Sequence, residues 1–194
     1  MGLKDIIKRD LSKVRFDTDI KSFILALLFN QSFRLLFFYR CSKYKILLTP
    51  IFALLNRCFQ NKQLVFISKQ AEIGSGFCIG HCFSIIIGKC KIGDDVTIMQ
   101  QVTIGSSRGG GRAGYPSIGN QCFIGAGAKI IGNVTIGDNV VIGANAVVTK
   151  DIPSGSIVGG VPAIIINDKG KDQTKLWCST IKYMTLYNEA KKQV

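Results

Sequence analysis

The chain has 194 residues, of which 47% are hydrophobic, and its formal net charge is +13 at pH 7. This composition is sufficient for a buried core and excludes a largely disordered chain. The seven cysteines are scattered singly and the chain has one histidine, which argues against both a disulfide framework and a zinc site. We therefore expect reduced thiols, no metal and a cytoplasmic location.

The N-terminal region, residues 1–62, differs in composition from the rest. Residues 20–59 are rich in Leu and Phe, so we predict helices that are interrupted near Pro50. Asn30 and Arg34 divide the apolar run before it reaches the roughly 20 residues of a membrane span. Because the region is also basic, two interpretations stay open: peripheral attachment to the inner face of the cell membrane, or packing against the rest of the protein or another subunit.

The high positive charge raises the possibility of a nucleic-acid partner. The sequence has neither an aromatic RNA-binding signature nor a DNA-reading helix pattern. Much of the charge lies in the terminal segments, where it suits an anionic lipid, a phosphorylated cofactor or an acidic glycan. We therefore expect no nucleic-acid partner.

A six-residue repeat dominates residues 63–166. An aliphatic side chain returns at every sixth position, at Ile118, Ile124, Ile130, Ile136, Ile142 and Val148. A helix repeats every 3.6 residues and a strand every two, so a period of six instead fits short parallel strands stacked in a β-helix. The predicted fold class is mainly β, a parallel β-helix with an N-terminal helical segment and a short C-terminal helix in residues 167–194.

The repeat has two predicted irregularities. It passes through Ile85 and resumes one residue out of phase at Ile92, so we predict that the turn at residues 88–91 gains a residue. Residues 106–116 are polar and rich in glycine, and we expect them to leave the stack as a loop.

The corners between strands have their own residue pattern. Glycine commonly follows the aliphatic residue and tolerates a positive φ. Asn and Asp also tolerate a positive φ. We accordingly interpret Asp94, Asn120 and Asp138 as corner residues of this kind.

His81 follows the aliphatic Ile79 by two positions, so its imidazole is predicted to project outside the core. Histidine changes its charge near neutral pH and can accept a proton from an alcohol. A single histidine is nevertheless more often an incidental surface residue, and composition alone does not decide between these interpretations.

Three stretches of the repeat resemble a known family: residues 74–88 (GSGFCIGHCFSIIIG), residues 92–105 (IGDDVTIMQQVTIG) and residues 115–163, which end in GGVPA. They resemble the hexapeptide-repeat acyltransferases, in the serine acetyltransferase-like branch, and look closest to O-acetyltransferases of bacterial polysaccharides. The resemblance implies a left-handed parallel β-helix, a homotrimer, and acetyl-CoA bound in a groove between neighbouring subunits. It also implies that His81 is the general base.

The same resemblance implies a set of cofactor-binding residues: Gly105, Ala126, Ala144, Thr149 and Lys150. Small side chains would let the pantetheine approach the backbone, and the lysine could meet a phosphate. The alternative is that the small residues only satisfy tight corners and that the lysine lies in a solvated turn.

The expected acceptor follows from departures from the family pattern. Serine acetyltransferases usually carry Asp and Arg at the positions of Gly80 and Gly114, where they suit the ammonium and carboxylate of serine. The second histidine of the family is Tyr115 here, and the carboxylate that orients the base is Phe66. We therefore expect a neutral sugar hydroxyl of a bacterial surface polysaccharide or its precursor, contacted by Tyr115 and Arg112.

Several alternatives remain. The chain could be a serine O-acetyltransferase of cysteine biosynthesis, or a non-catalytic β-helix scaffold. A γ-type carbonic anhydrase needs three histidines and a sugar nucleotidyltransferase needs a nucleotide-binding domain, so both are excluded. A backbone carbonyl, Glu72, or Asp94 of the partner subunit could orient the base, and the sequence does not choose among them.

Overall fold

The computed structural model describes residues 1–15, 17–44, 48–107 and 113–177. The helices are α1 (Leu3–Leu11), α2 (Ile20–Phe29), α3 (Gln31–Lys43), α4 (Thr49–Gln63) and, after the strands, α5 (Gly170–Trp177). The strands are β1 (Phe66–Ile67), β2 (Glu72–Ile73), β3 (Cys78–Ile79), β4 (Ile86–Ile87), β5 (Lys91–Ile92), β6 (Thr97–Ile98), β7 (Thr103–Gly105), β8 (Ser117–Ile118), β9 (Phe123–Ile124), β10 (Lys129–Ile131), β11 (Thr135–Ile136), β12 (Val141–Ile142), β13 (Val147–Val148), β14 (Ile157–Gly159) and β15 (Ile164–Asn167). The part of the predicted C-terminal helix beyond residue 177 lies outside the described residues.

The strands form three parallel sheets, and successive strands belong to successive sheets. Sheet 1 has the order β1-β4-β7-β10-β13, sheet 2 the order β2-β5-β8-β11, and sheet 3 the order β3-β6-β9-β12-β14-β15. The pattern changes after β13, because β14 belongs to sheet 3 and only an isolated bridge between Ile136 and Ile152 continues sheet 2. The last strand, β15, pairs antiparallel with β14. One strand from each sheet makes one coil, so the predicted parallel β-helix is confirmed.

The core of the β-helix is a set of aliphatic columns. In sheet 3, Ile79, Ile98, Ile124 and Ile142 lie in register one above the other, and none is more than 2% exposed. Each column arises because the second residue of every two-residue strand points inward. The six-residue repeat is therefore the spacing between inward-pointing residues of neighbouring sheets.

The irregular coil is not where the sequence predicted it. The inward residue of β4 is Ile87, paired with Ile104, and Ile85 lies before the strand. Eight residues separate Ile79 from Ile87, whereas six separate Ile98 from Ile104. The prediction of an extra residue at 88–91 is wrong: the corner at residues 80–85 is two residues longer, and the next turn is one residue shorter. The sequence does not reveal the longer corner, because residues 85–87 are all isoleucine and each of them could be the inward residue.

The interpretation of Asp94, Asn120 and Asp138 as positive-φ residues is also wrong. At each of these corners the residue with positive φ is the next one along the chain, at Asp95, Gln121 and Asn139.

The three residues instead form a ladder of hydrogen bonds along the β-helix axis. The side-chain Oδ1 of Asp94 accepts from the backbone N–H of Ser75 at 2.7 Å. Asn120 Oδ1 accepts from the Asp94 N–H at 2.8 Å, and Asp138 Oδ1 accepts from the Asn120 N–H at 2.6 Å. Each side chain thus satisfies a backbone donor of the coil below it.

Asp94 also makes an ionic contact between α1 and the β-helix, beside the ion pair of Asp95 with the same arginine. Its carboxylate lies 3.4 Å from the Arg9 guanidinium. Partial burial acts to raise the pKa of Asp94, but the hydrogen bonds from Ser75 and the charge of Arg9 outweigh it and hold the pKa below its ordinary value. A lowered folded-state pKa stabilises the fold above the ordinary aspartate pKa, and this contribution is lost as pH falls through the folded-state value.

We therefore expect Asp94→Asn to lower the melting temperature at pH 7 by a few degrees, on the order of 1–4 °C for an exposed pair. The difference from the wild type should shrink as the pH falls below the ordinary aspartate pKa and vanish once the pH is below the lowered folded-state pKa of Asp94, where its carboxyl group is protonated. Thermal unfolding between pH 2 and pH 7 measures it, with the exposed Asp17→Asn as a control. A difference that stays constant across this range would contradict the assignment.

The N-terminal helices are anchored to the first coil by a buried ion pair. Arg40 Nε on α3 lies 3.0 Å from Asp10 Oδ2 on α1, and the two side chains are 5% and 2% exposed. The same guanidinium donates to the carbonyls of Ile73 and Gly74 at 2.5 Å. Asp10 Oδ1 in turn accepts from the N–H of Phe77 at 3.1 Å. Two helices and the first coil thus share one polar cluster.

The N-terminal helices are short. Among the described residues, no individual helix is both long enough and apolar enough to cross a bilayer. The helices α2 and α3 meet these criteria only when they are taken together, and they are bent by 105° where they join. Asn30 lies at this junction, and its side chain accepts from the Phe33 N–H at 2.8 Å, which caps the start of α3.

The cysteines among the described residues are thiols, and most of them are buried. Cys41 and Cys90 are buried free thiols, and Cys58 is an exposed one. Burial raises the pKa of Cys41 to about 11 and that of Cys90 to about 12. These two side chains are therefore protonated near neutral pH and are poor nucleophiles.

Candidate functional site

His81 lies in the enlarged corner that joins β3 of sheet 3 to β4 of sheet 1. Its side chain is exposed, and among the residues described no hydrogen bond is made to the imidazole. The backbone carbonyl of His81 accepts from the Phe83 N–H at 3.0 Å, which turns the chain sharply after it. The two extra residues therefore present an imidazole at the surface in place of another tight corner.

Two predicted cofactor residues lie in the same column as His81. His81 follows Ile79 by two positions, and Ala126 and Ala144 follow their own inward residues in sheet 3 by two positions. Because those inward residues are in register, the three corner positions stack along the axis. Neighbouring strands are about 4.8 Å apart, which places Ala126 roughly 10 Å and Ala144 roughly 14 Å from the His81 backbone.

The other three predicted cofactor residues lie at a different corner. Gly105 pairs with Ile131, and Thr149 follows β13 at the position above Ile131. Gly105, Thr149 and Lys150 therefore lie where sheet 1 turns into sheet 2. Thr149 and Lys150 are exposed, and Gly105 is half-buried. Within one chain the structure brings Ala126 and Ala144 to the corner of His81, but not these three residues.

Gly80, the residue before His81, is in close contact with a methionine side chain of the next coil. A Cβ built on Gly80 would lie 2.6 Å from Met99 Sδ, one coil above. Met99 packs in turn against the outward-facing cluster of Phe123 and Val141 on sheet 3. Any side chain at position 80 thus requires Met99 to move. Sequence reasoning missed Met99, and only the register between β3 and β6 identifies it.

Of the two predicted acceptor residues, the structure describes only Tyr115, which follows the extruded loop. The backbones of Ser107 and Gly114 exchange two hydrogen bonds of 3.2 Å and so hold the two ends of the loop together. Arg112 lies outside the described residues. Gly114 has φ +143°, and a Cβ there would lie 2.9 Å from Asn133 Cβ. An arginine, as in the family pattern, is incompatible with this backbone unless Asn133 moves.

Tyr115 is exposed and belongs to the corner between sheets 1 and 2, not to the corner of His81. The Lys89 ammonium lies 4.5 Å from the centroid of its ring, a cation–π contact that sequence reasoning missed. Lys89 was hard to find from sequence because it occupies an ordinary turn one coil below. The pair places a positive charge and an aromatic face beside the loop.

No carboxylate holds the imidazole within the described part of one chain. Phe66 occupies β1 of sheet 1 and is 55% exposed. Glu72 lies on sheet 2, and Asp94 is engaged by Ser75 and Arg9. In the described residues there is also no cluster of three His, Cys, Asp or Glu side chains suited to a metal ion.

Sequence comparison identifies the repeat. A family model described as bacterial transferase hexapeptide (six repeats) matches residues 115–150. A serine acetyltransferase of Staphylococcus xylosus is 40% identical over 130 residues, which is 66% of this chain and 59% of the relative. The chain thus spans only about six-tenths of the length of this curated relative.

Solved structures agree with the sequence match. A soybean serine acetyltransferase complexed with serine is 31% identical with a TM-score of 0.71, over 84% of this chain and 69% of that one. A serine acetyltransferase from Brucella abortus in complex with coenzyme A is 29% identical with a TM-score of 0.71, over 85% and 68% of the two chains. These are left-handed β-helix proteins, as the resemblance predicted. The chain therefore belongs to the hexapeptide-repeat acyltransferases, in the serine acetyltransferase-like branch.

Proposed function

We propose that this protein is an acetyl-CoA-dependent O-acetyltransferase with His81 as its general base. The observation that carries the proposal is the exposed imidazole at an enlarged β-helix corner, two and three coils below the small residues Ala126 and Ala144. An imidazole that no side chain of the described residues engages is available to accept a proton from an alcohol.

The proposed reaction is direct transfer. His81 removes the proton of an acceptor hydroxyl as its oxygen attacks the carbonyl carbon of the thioester. The tetrahedral intermediate carries an oxyanion, which backbone N–H groups would stabilise. The C–S bond then breaks, and the proton held by His81 passes to the departing thiolate of CoA. The products are an acetyl ester and the free thiol, and no acyl-enzyme forms.

The proposed binding site for acetyl-CoA is inferred from the size and charge of the residues at these corners. A corner column that presents Ala126 and Ala144 leaves room for an extended chain to lie against the backbone. Lys150 is an exposed cation that could meet a phosphate. The Brucella relative, whose structure contains coenzyme A, supports the same class of donor.

We propose a homotrimer in which the site is shared between subunits. His81 lies where sheet 3 turns into sheet 1, whereas Tyr115, Thr149 and Lys150 lie where sheet 1 turns into sheet 2. Sheet 1 separates these corners within one chain. A cleft between two subunits could bring one corner of each together, and a neighbouring chain could then supply the group that orients the imidazole.

Serine is the first candidate acceptor. It is supported by the relatives, which are serine acetyltransferases, one of them complexed with serine. The preference for a polysaccharide acceptor, which the sequence suggested, has no support from these relatives.

A neutral sugar hydroxyl is the second candidate, and the residues of the site favour it. Gly80 and Gly114 provide no charge for the ammonium and carboxylate of an amino acid, and the positive φ of Gly114 disfavours a side chain at that position. The aromatic face of Tyr115 beside Lys89 would suit a sugar ring better than a small zwitterion.

Thiol release from acetyl-CoA tests both the reaction and the acceptor. We expect acceptor-dependent release with L-serine or with a neutral sugar, and the product ester identified by mass spectrometry. Serine turnover assigns the first candidate, and turnover with a sugar but not with serine assigns the second. Absence of acceptor-dependent release with serine and with a broad sugar panel would contradict O-acetyl transfer.

A further inference from the structure

We propose that the N-terminal helices dock on the surface of an anionic lipid bilayer, through an exposed apolar surface that we call the α2–α4 face. Its members are large aliphatic or aromatic side chains that are 37–75% exposed: Ile20, Ile24, Leu28 and Phe29 of α2, and Ile51, Leu54 and Leu55 of α4. On α2 the exposed positions recur every four residues, which aligns them in one stripe. Contiguous apolar surface of this kind indicates an interaction site.

The α4 helix exposes leucines while it buries two amide side chains. Asn56 and Gln60 are 9% and 8% exposed, whereas Leu54 is 65% exposed. Gln60 is fixed in this orientation because its Oε1 accepts from the backbone N–H of Ile67 at 3.1 Å. Arg57, one turn after Leu54, is exposed as well. An exposed leucine beside a basic residue suits the headgroup region of a membrane.

A continuous aromatic layer joins the two helices across α3. The Phe37 ring on α3 lies 5.4 Å from the Phe23 ring on α2 and 6.1 Å from the Phe52 ring on α4. Phe37 remains partly exposed between them. The exposed residues of α2 and α4 thus border one surface instead of two separate patches.

The positive charge around the α2–α4 face favours an anionic lipid as its binding partner. Residues 20–71 contain eight Lys and Arg side chains and no Asp or Glu. Arg40 is buried against Asp10 and cannot contact a lipid, which leaves seven basic residues. Basic residues beside bulky apolar ones are the pattern of helices that lie in the headgroup region of anionic membranes. A second copy of the same face would bring like charges together, which opposes self-association.

A groove at the edge of the α2–α4 face has the same chemistry. It has a volume of 620 Å³ and lies between α1 and α2. Leu3, Ile7 and Phe23 line it with apolar surface, and Lys4, Lys8 and Asp19 also border it. The apolar lining would suit the acyl chain of a lipid.

Docking in this way would place the candidate active site near the bilayer. The first coil, which carries His81, is the coil next to the helices, since Ser84 in the same corner donates its N–H to the carbonyl of Gln63 at 3.2 Å. The proposal does not depend on the proposed function, because its test measures lipid binding.

Density-gradient flotation of the full chain tests the proposal. We expect the protein to float with phosphatidylglycerol–phosphatidylcholine vesicles at low salt and to remain at the bottom with pure phosphatidylcholine. The test variant is Leu28→Asp/Leu54→Asp on the α2–α4 face. The matched control is Ile164→Asp/Ile166→Asp on β15, where the side chains are 67% and 64% exposed. Both double variants change the net charge equally, so general attraction of the basic chain is held constant.

We expect the partition coefficient to fall by about tenfold or more in the test variant and by less than about twofold in the control. Equal losses in both variants would overturn the proposal, because they would indicate non-specific charge attraction. Wild-type protein that does not float would overturn it as well. Sedimentation measures the oligomeric state of both variants. If only the test variant dissociates, and its flotation is unchanged, the α2–α4 face is a contact with another copy of this chain and not with lipid.

Discussion

Replacement of His81 by alanine is expected to lower kcat for acetyl transfer by about 10²- to 10⁴-fold, the usual contribution of a general base. The imidazole is exposed and is not hydrogen-bonded to any described side chain, so its removal leaves the stacked core intact. The small residues Ala126 and Ala144, which are proposed to meet the donor, are untouched. Affinity for CoA should therefore change less than about threefold while kcat falls.

The measurement combines steady-state thiol release with calorimetric titration of CoA into wild type and His81→Ala. The exposed Lys69→Ala serves as a surface control in the same coil region, and it should retain wild-type kcat. Wild-type turnover in His81→Ala would remove His81 from the mechanism. Loss of CoA binding together with kcat would instead assign it a structural role at the corner.

Much of the fold follows from the sequence because one inward residue per strand leaves a visible period. The columns of sheet 3 contain the same aliphatic residues that the six-residue repeat singles out. Where several neighbouring residues are aliphatic, the six-residue period alone does not determine which of them points inward. The isoleucines at 85–87 allow more than one register, and pairing of Ile87 with Ile104 decides among them.

Corner chemistry was misassigned for a related reason. Asp and Asn are suited both to positive φ and to accepting backbone hydrogen bonds, so residue type does not distinguish the two roles. The ladder through Asp94, Asn120 and Asp138 depends on contacts between coils that are 18 to 26 residues apart in the chain. Only the stacking of coils shows which role applies.

The candidate site was only partly predictable. The position of His81 two residues after an inward isoleucine was enough to predict an outward imidazole. The contacts of Gly80 with Met99 and of Tyr115 with Lys89 join different coils and carry no sequence signal. Family resemblance suggested Tyr115 and Thr149 as part of one site with His81, but within a single chain they lie at another corner.

Replacement of Arg40 by methionine is expected to destabilise the protein by about 3–5 kcal/mol, because it leaves the buried Asp10 carboxylate without its counter-charge. Burial raises the pKa of Asp10, and this effect outweighs the attraction of Arg40 that lowers it. The substitution also removes the donors to the carbonyls of Ile73 and Gly74. Urea unfolding measures the loss, and the exposed Arg57→Met is the matched control, with an expected change below about 0.5 kcal/mol.

The double variant Asp10→Asn/Arg40→Met separates charge burial from the other contacts of the ion pair. Asparagine keeps an oxygen that can accept from the Phe77 N–H, while the uncompensated charge is gone. We therefore expect the double variant to be more stable than Arg40→Met alone by at least about 1 kcal/mol, even though it carries one more substitution. If the losses of unfolding free energy in Asp10→Asn and Arg40→Met simply add in the double variant, the cluster acts through packing. A favourable coupling would establish that one ion pair, between residues 30 positions apart, holds α1 and α3 on the first coil beside His81.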